Sequence, residues 1–179
     1  MRSVAVVLAA VMSSGCLVLS LQPAYDDKSI VFEESLLGNW TNAEDQLQAT
    51  IERGEWRSYK VAYTDHSTTK TFQGNLTAIG ATRLLDLTES RGADPGPYLV
   101  PVHGLYRIEL TAGTLTAAPL DYSWFTRAMA QKTIGRLTAS FDDRRNAVIA
   151  STTADLRRWL TRPPPGDVFA APMTFERTP

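Results

Sequence analysis

One cysteine is all that this chain of 179 residues contains, so an internal disulfide is excluded and the stability of the fold has to come from packing. Histidine is almost as scarce. His66 and His103 are the only two, with no metal-ligand spacing between them and no cysteine near either in sequence. Neither sign of charge is in excess, with 18 basic against 19 acidic residues, and no basic stripe exists to bind nucleic acid or anionic lipid. Glycine-rich phosphate loops and serine nucleophile elbows are absent. The adjacent carboxylates Asp26-Asp27 and Asp142-Asp143 do not make an acid/base couple, because neighbouring strand residues point apart. These absences argue against an enzyme and against a metal or organic cofactor.

What is present begins at the N-terminus. Arg2 precedes an uninterrupted apolar run from Val4 to Met12, followed by Ser13, Ser14, Gly15 and the single Cys16. A short positive region, an apolar stretch and small residues before a cut form the pattern of a secretory signal peptide. Spanning a bilayer takes about 20 apolar residues, and the Ser13-Ser14-Gly15 break leaves the run short of that. The segment resembles the lipobox of bacterial lipoproteins, with Ser13 where leucine is usual. That resemblance implies that the Cys16 thiol is diacylated and becomes the first residue of the mature chain. Leu17, standing where a retention aspartate would sit, implies an outer-membrane location facing the periplasm. Each buried methylene of an acyl chain such as palmitate contributes about 0.8 kcal/mol, so several chains together hold a protein permanently. Two other readings stay open at this point: a signal peptide cut nearby that leaves a free thiol, and an uncleaved anchor, since apolar residues resume at Leu17, Val18, Leu19 and Leu21.

The expected organisation is a signal peptide over residues 1–15, a lipidated tether over 16–29 and a single β domain over 30–179. Losing the first 15 residues leaves 164, enough for one domain with a real core, and 17 basic against 19 acidic residues. Turn signals recur at strand-like intervals at Gly38, Gly54, Asp65 to Thr69, Gly80, Gly92 to Pro97, Gly113 and Asp142 to Asn146. Between them the residues alternate, with Tyr59, Val61 and Tyr63 on one face and Lys60, Ala62 and Thr64 on the other. Val100, Val102, Tyr106, Ile108 and Leu110 form the longest stripe, opposed by His103, Arg107 and Glu109. The pattern predicts strands near 36–43, 47–53, 56–65, 69–79, 82–89, 100–111, 114–121, 136–142 and 146–151, paired antiparallel through short hairpins. It predicts two helices as well, one capped by Ser123 and one opened by Thr152 with Asp155 and ended by Pro163-Pro164-Pro165. Met173 to Arg177 is expected to return to a sheet edge.

Leu37-Gly38-Asn39-Trp40 contains a Gly-x-Trp sequence directly before this run of strands. It resembles the opening of lipocalin-like, calycin-type barrels, in which the glycine permits close approach and the tryptophan plugs one end. Tyr25-Asp26-Asp27, Val31-Phe32-Glu33-Glu34, Leu84-Leu85-Asp86-Leu87, Leu99-Val100-Pro101-Val102-His103 and Leu120-Asp121-Tyr122-Ser123-Trp124 extend the likeness. Together they resemble an uncharacterised group of bacterial lipoproteins with no assigned activity to carry over. The resemblance implies a mainly β fold, a lipocalin-like barrel or curled meander of about eight or nine strands with two short helices packed on it. Trp56, Tyr59, Tyr63, Phe72, Tyr98 and Tyr106 are candidates to line an apolar pocket, and His103 to face the lumen. The alternative for all of them is ordinary core packing, with His103 on the wet face of the sheet. The expected role is a membrane-anchored lipoprotein of the cell envelope that binds a small apolar or amphipathic molecule. The alternative role is a non-enzymatic scaffold that holds an envelope protein.

Overall fold

The computed structural model describes residues 16–90, 100–162 and 166–178. The signal segment, Tyr98 and the Pro163-Pro164-Pro165 stop lie outside the described residues. In chain order the elements are β1 (Val18–Ser20), β2 (Ile30–Val31), a 3-10 turn (Glu34–Leu36), β3 (Gly38–Asn42), β4 (Leu47–Arg53), β5 (Ser58–Asp65), β6 (Thr68–Ile79), β7 (Thr82–Glu89), β8 (His103–Thr111), β9 (Thr114–Pro119), α1 (Tyr122–Ala130), β10 (Ala139–Phe141), β11 (Ala147–Ile149), α2 (Thr153–Thr161) and β12 (Met173–Thr178).

Strands β3 to β9 form an antiparallel meander, and β12 pairs with β9 on one side and β3 on the other. The result is a closed, antiparallel, eight-stranded barrel of the lipocalin-like kind. Closure removes the sheet edges that would otherwise template aggregation. The C-terminal strand, expected at a sheet edge, is instead the stave that joins the first and last strands of the meander. Three of the hairpins have two-residue loops, at His66-Ser67, Gly80-Ala81 and Ala112-Gly113. His66, Gly80 and Gly113 take the positive φ that such tight connections need.

Two cores share the wall. Inside the barrel, Trp40, Leu47, Ile51, Tyr59, Val61, Leu76, Ile108 and Phe175 form one buried cluster. Outside it, Leu84 and Leu105 pack with Phe125 of α1, Leu156 and Trp159 of α2, and Ile149 of β11 in a second cluster. Residues of β7 therefore alternate between cores, Leu84 outward and Leu85 inward. A strand covered on both faces reads as a continuous apolar run rather than an alternating one.

Segment 16–29, expected as a tether, belongs to the fold. Val18, Ser20 and Ala24 are buried, and β1 pairs parallel to β11 and antiparallel to β8. Of the apolar residues after Cys16, Val18 and Leu19 belong to this strand. The Arg157 guanidinium of α2 holds this segment down, donating to the Ala24 carbonyl at 2.6 Å, Ser29 Oγ at 3.1 Å and Thr77 Oγ1 at 3.2 Å. Strands β10 and β11, read from the sequence as members of the meander, extend β1 away from the barrel instead. Helix α1 begins at Tyr122, one residue before the expected cap, because Asp121 Oδ1 accepts from the Trp124 amide at 2.9 Å. Helix α2 is capped as expected, Thr152 Oγ1 accepting from the Asp155 amide at 3.2 Å.

One end of the barrel is plugged. Trp40 is 1% exposed and donates through Nε1 to the Leu36 carbonyl at 3.0 Å. The Arg177 guanidinium lies over the Trp40 ring, 4.2 Å from its centroid, and donates to the carbonyls of Leu37 at 2.7 Å and of Ser35. This arrangement explains Gly38: its φ is +133°, and an added Cβ would come within 2.6 Å of Arg177 Nη1. Phe32 completes the plug, stacked on Tyr59 with ring centroids 4.8 Å apart. Trp40→Ala is expected to lower the unfolding free energy by about 3–5 kcal/mol, and Gly38→Ala by about 1–3 kcal/mol. Urea unfolding followed by circular dichroism measures both, and an unchanged midpoint for Trp40→Ala would mean that the plug does not hold the barrel.

Candidate functional site

The outer edge of β8 carries two different neighbours. Tyr106 to Thr111 pair with β9, whereas His103 and Gly104 pair with Ser20 and Leu19 of β1. Where the two partners diverge, a cleft of about 180 Å³ opens. Cys16 to Leu19 form one wall, Pro119, Leu120 and Tyr122 the other, and Gly104 to Tyr106 the floor. Cys16 stands at this fork because the chain beside it is pinned. The Leu17 amide donates to Asn146 Oδ1 at 2.8 Å, and the Leu17 carbonyl accepts from the Ala147 amide at 2.8 Å. The Cys16 thiol lies 4.0 Å from the Arg144 carbonyl. Tyr122, whose hydroxyl donates to the Arg145 carbonyl at 2.8 Å, stands beside the thiol. Desolvation, then the hydrogen bond and charge of Cys16, push the Tyr122 phenol above its usual range.

Tyr106, in that floor, also packs against the interior cluster at the end of the barrel opposite Trp40. Tyr63, Phe72, Leu87, Tyr106 and Met173 face inward there and are only partly buried, in contrast to the fully covered Tyr59 and Trp40 at the other end. Burial raises the Tyr106 phenol pKa. Tyr63 is pushed up to about 12, chiefly by desolvation, with Asp65, Tyr106 and Asp45 adding to it. Both phenols are therefore neutral at physiological pH and present apolar ring and hydroxyl to whatever enters.

A second polar feature sits on the outer wall. His103 Nδ1 lies 2.7 Å from Asp86 Oδ1, and the other carboxylate oxygen accepts from the Ala24 amide at 2.8 Å. Asp86 is 1% exposed and His103 7%. Thr88 Oγ1 stands 3.2 Å from the same ring nitrogen, and Tyr25 meets the imidazole edge-on with centroids 6.4 Å apart. Burial, followed by the charges of Asp86 and Asp27, raises the Tyr25 pKa. A buried carboxylate of this kind is tolerated only when its lone pairs are used, and Asp86 uses them on the imidazole and on the N-terminal segment. Its geometry serves attachment: the carboxylate bridges β7, β8 and the chain at Ala24.

Of the residues predicted from sequence to line a pocket, Tyr59, Tyr63, Phe72 and Tyr106 do face the lumen. Tyr59 is part of the plug, its hydroxyl accepting from the Glu33 amide at 2.7 Å. Trp56 does not join them. It occupies the turn between β4 and β5 with φ +54° and is 64% exposed, which also delays the start of β5 to Ser58. His103 is neither in the lumen nor on a wet face, because residues 24 and 25 cover the outer wall at that point. Its stripe-mate Arg107 does face outward, forming a paired contact with Asp167 at 3.0 Å for both bonds. Asp86 was missed as a site residue, although a carboxylate inside Leu84-Leu85-Asp86-Leu87 is the kind of buried acid that needs a partner. No metal-binding group of three or more His, Cys, Asp or Glu side chains occurs among the described residues.

Asp86→Ala is expected to destabilise the protein by about 1–3 kcal/mol for each buried group it strands, the His103 imidazole and the Ala24 amide. Hydrogen exchange should show the loss first at residues 18–24, and protection there equal to wild type would contradict the bridging role. Tyr63 makes a prediction about alkaline pH. Its pKa is higher in the fold than the unfolded value near 10, so its contribution is complete below pH 10 and declines as pH rises toward 12. Urea midpoints between pH 9 and 12 should therefore fall less steeply for Tyr63→Phe than for wild type. Comparison of the chain with protein-family models, with curated proteins and with solved structures finds no match.

Proposed function

We propose that this protein is a lipoprotein of the bacterial cell envelope, acylated on Cys16, whose barrel takes up a small apolar or amphipathic molecule. The observation that carries the reading is the group of inward-facing apolar side chains at the end opposite Trp40: Tyr63, Phe72, Leu87, Tyr106 and Met173 line the barrel there and are only partly buried. Apolar side chains that are left partly wet inside a concave rim gain by being covered, at about 25 cal/mol per Å² removed from water. Neutral phenols at the rim favour a ligand with one polar group near an apolar body. The reading gives the protein a binding role and no catalytic one. Envelope location follows from the signal-like segment before Cys16 and from the thiol's place at the surface of the fold, where an acyltransferase and a membrane can reach it.

Two experiments test the two parts separately. Cells grown with labelled palmitate should incorporate label into the wild type and none into Cys16→Ser, and an unlabelled wild type would refute the anchor. Native mass spectrometry of protein purified from its host should show a co-purifying apolar molecule, and a fluorescent fatty acid should bind with an affinity reduced at least about tenfold in Phe72→Ala or Tyr106→Ala, the loss of about 1.4 kcal/mol expected for one buried aromatic contact. A clean apo mass with no fatty-acid uptake would sink the binding reading while leaving the anchor untouched.

A further inference from the structure

The fork beside β8 has a natural occupant within the protein itself. We propose that one acyl chain carried on Cys16 lies in this cleft, so that its first carbons pack between β1 and β9 rather than in the membrane. The inference rests on the acylation of Cys16 proposed above and goes beyond it by assigning the chain a seat in the fold. Three observations carry it.

Cys16 is itself part of the cleft wall, and the two hydrogen bonds of Leu17 fix where any group attached to the sulfur or to the Cys16 amine must start. The cleft is lined by Leu19, Leu105, Tyr106, Pro119 and Leu120 among others, and none of its lining side chains is charged. Its size is the third. At about 180 Å³ it falls below the roughly 300 Å³ at which sites for free small molecules begin. An apolar cavity of about 150 Å³ nevertheless holds a molecule of benzene's size, so this one accepts about six carbons. A free ligand would gain too little contact there to offset the loss of its translational and rotational freedom. A chain already bonded to Cys16 has lost that freedom, and its effective concentration at the cleft is high.

Seating the chain joins two strands that pair with different stretches of β8, and it covers Tyr106 from outside the barrel. Because β1 is hydrogen-bonded into the fold, no flexible spacer separates lipid from barrel. The β8 fork would then face the membrane at a fixed angle.

Photo-crosslinking of the intact, acylated protein tests this directly. Cells are fed a palmitate analogue with a diazirine within the first six carbons, the membranes are irradiated, and crosslinked peptides are located by mass spectrometry. Crosslinks concentrated on Leu19, Leu105, Tyr106 or Leu120 are the expected result. An analogue with the diazirine at the chain terminus should lose them, because the cleft is too short to reach. Label on Cys16 with crosslinks only into lipid would overturn the seat while leaving the anchor intact. Absence of label on Cys16 would overturn the acylation reading and the seat with it.

Discussion

A strand edge offers one ladder of donors and acceptors, and the edge of β8 that faces away from β7 is divided between two partners. Strand β9 takes the stretch from Tyr106 to Thr111 and keeps the barrel closed, while β1 takes His103 and Gly104 and starts a separate extension. Much of the rest follows from that division. β1 leads to β11 and β10, and these, with α1 and α2, cover the outer wall of β7 and β8 and create the second core. The cover makes the outer face of β7 dry, so Asp86 needs His103 and the Ala24 amide to satisfy it. The divergence of β1 from β9 opens the cleft in which Cys16 stands.

The two cores put different demands on the same chain. The barrel interior is a small volume surrounded by eight strands, and aromatic rings fill it efficiently: Trp40, Tyr59 and Phe175 are all buried there. At the plugged end Trp40 Nε1, the Tyr59 hydroxyl and the Arg177 guanidinium all have hydrogen-bond partners. The outer core is built from helices and short strands, and it is held to the barrel by a few charged bridges, chiefly those of Asp86 and Arg157. Losing one of those bridges would loosen the cover before it disturbed the barrel, because the barrel's own hydrogen-bond ladders are closed on themselves.

The barrel was legible in the sequence because its signals are local. Alternation in Tyr59 to Thr64 and turn residues such as Gly80 and Gly113 depend only on near neighbours, and they predicted the meander strands from β3 to β9 almost to their ends. The Gly-x-Trp sequence pointed to a plug, though not to the arginine 137 residues after Trp40 that covers it. Closure by β12, the incorporation of β1 and the burial of His103 were not legible, since each depends on pairing across more than 60 residues. A polar-looking stripe of His103, Arg107 and Glu109 has the same alternation whether water or another segment lies over it. Among the pocket candidates, Trp56 went astray for a related reason: periodicity extends a strand through any apolar residue, and only the positive φ at that position reveals the turn.

Placing the second core on the outer wall also limits what the interior can do. Binding a ligand deep in the lumen would require displacing Trp40, Tyr59 or Leu76, each held by close packing, and opening such a volume costs several kcal/mol per large side chain. At the opposite end Tyr63, Phe72 and Tyr106 are only partly buried. The ring of Tyr106 reaches the barrel interior from one side and the β8 fork from the other. Whatever orders β1 against β9 therefore also sets the shape of the rim, through Gly104, where an added Cβ would stand 3.2 Å from the Tyr106 ring. The bare backbone of that glycine leaves room for the ring, so a single side chain contributes both to the barrel interior and to the β8 fork.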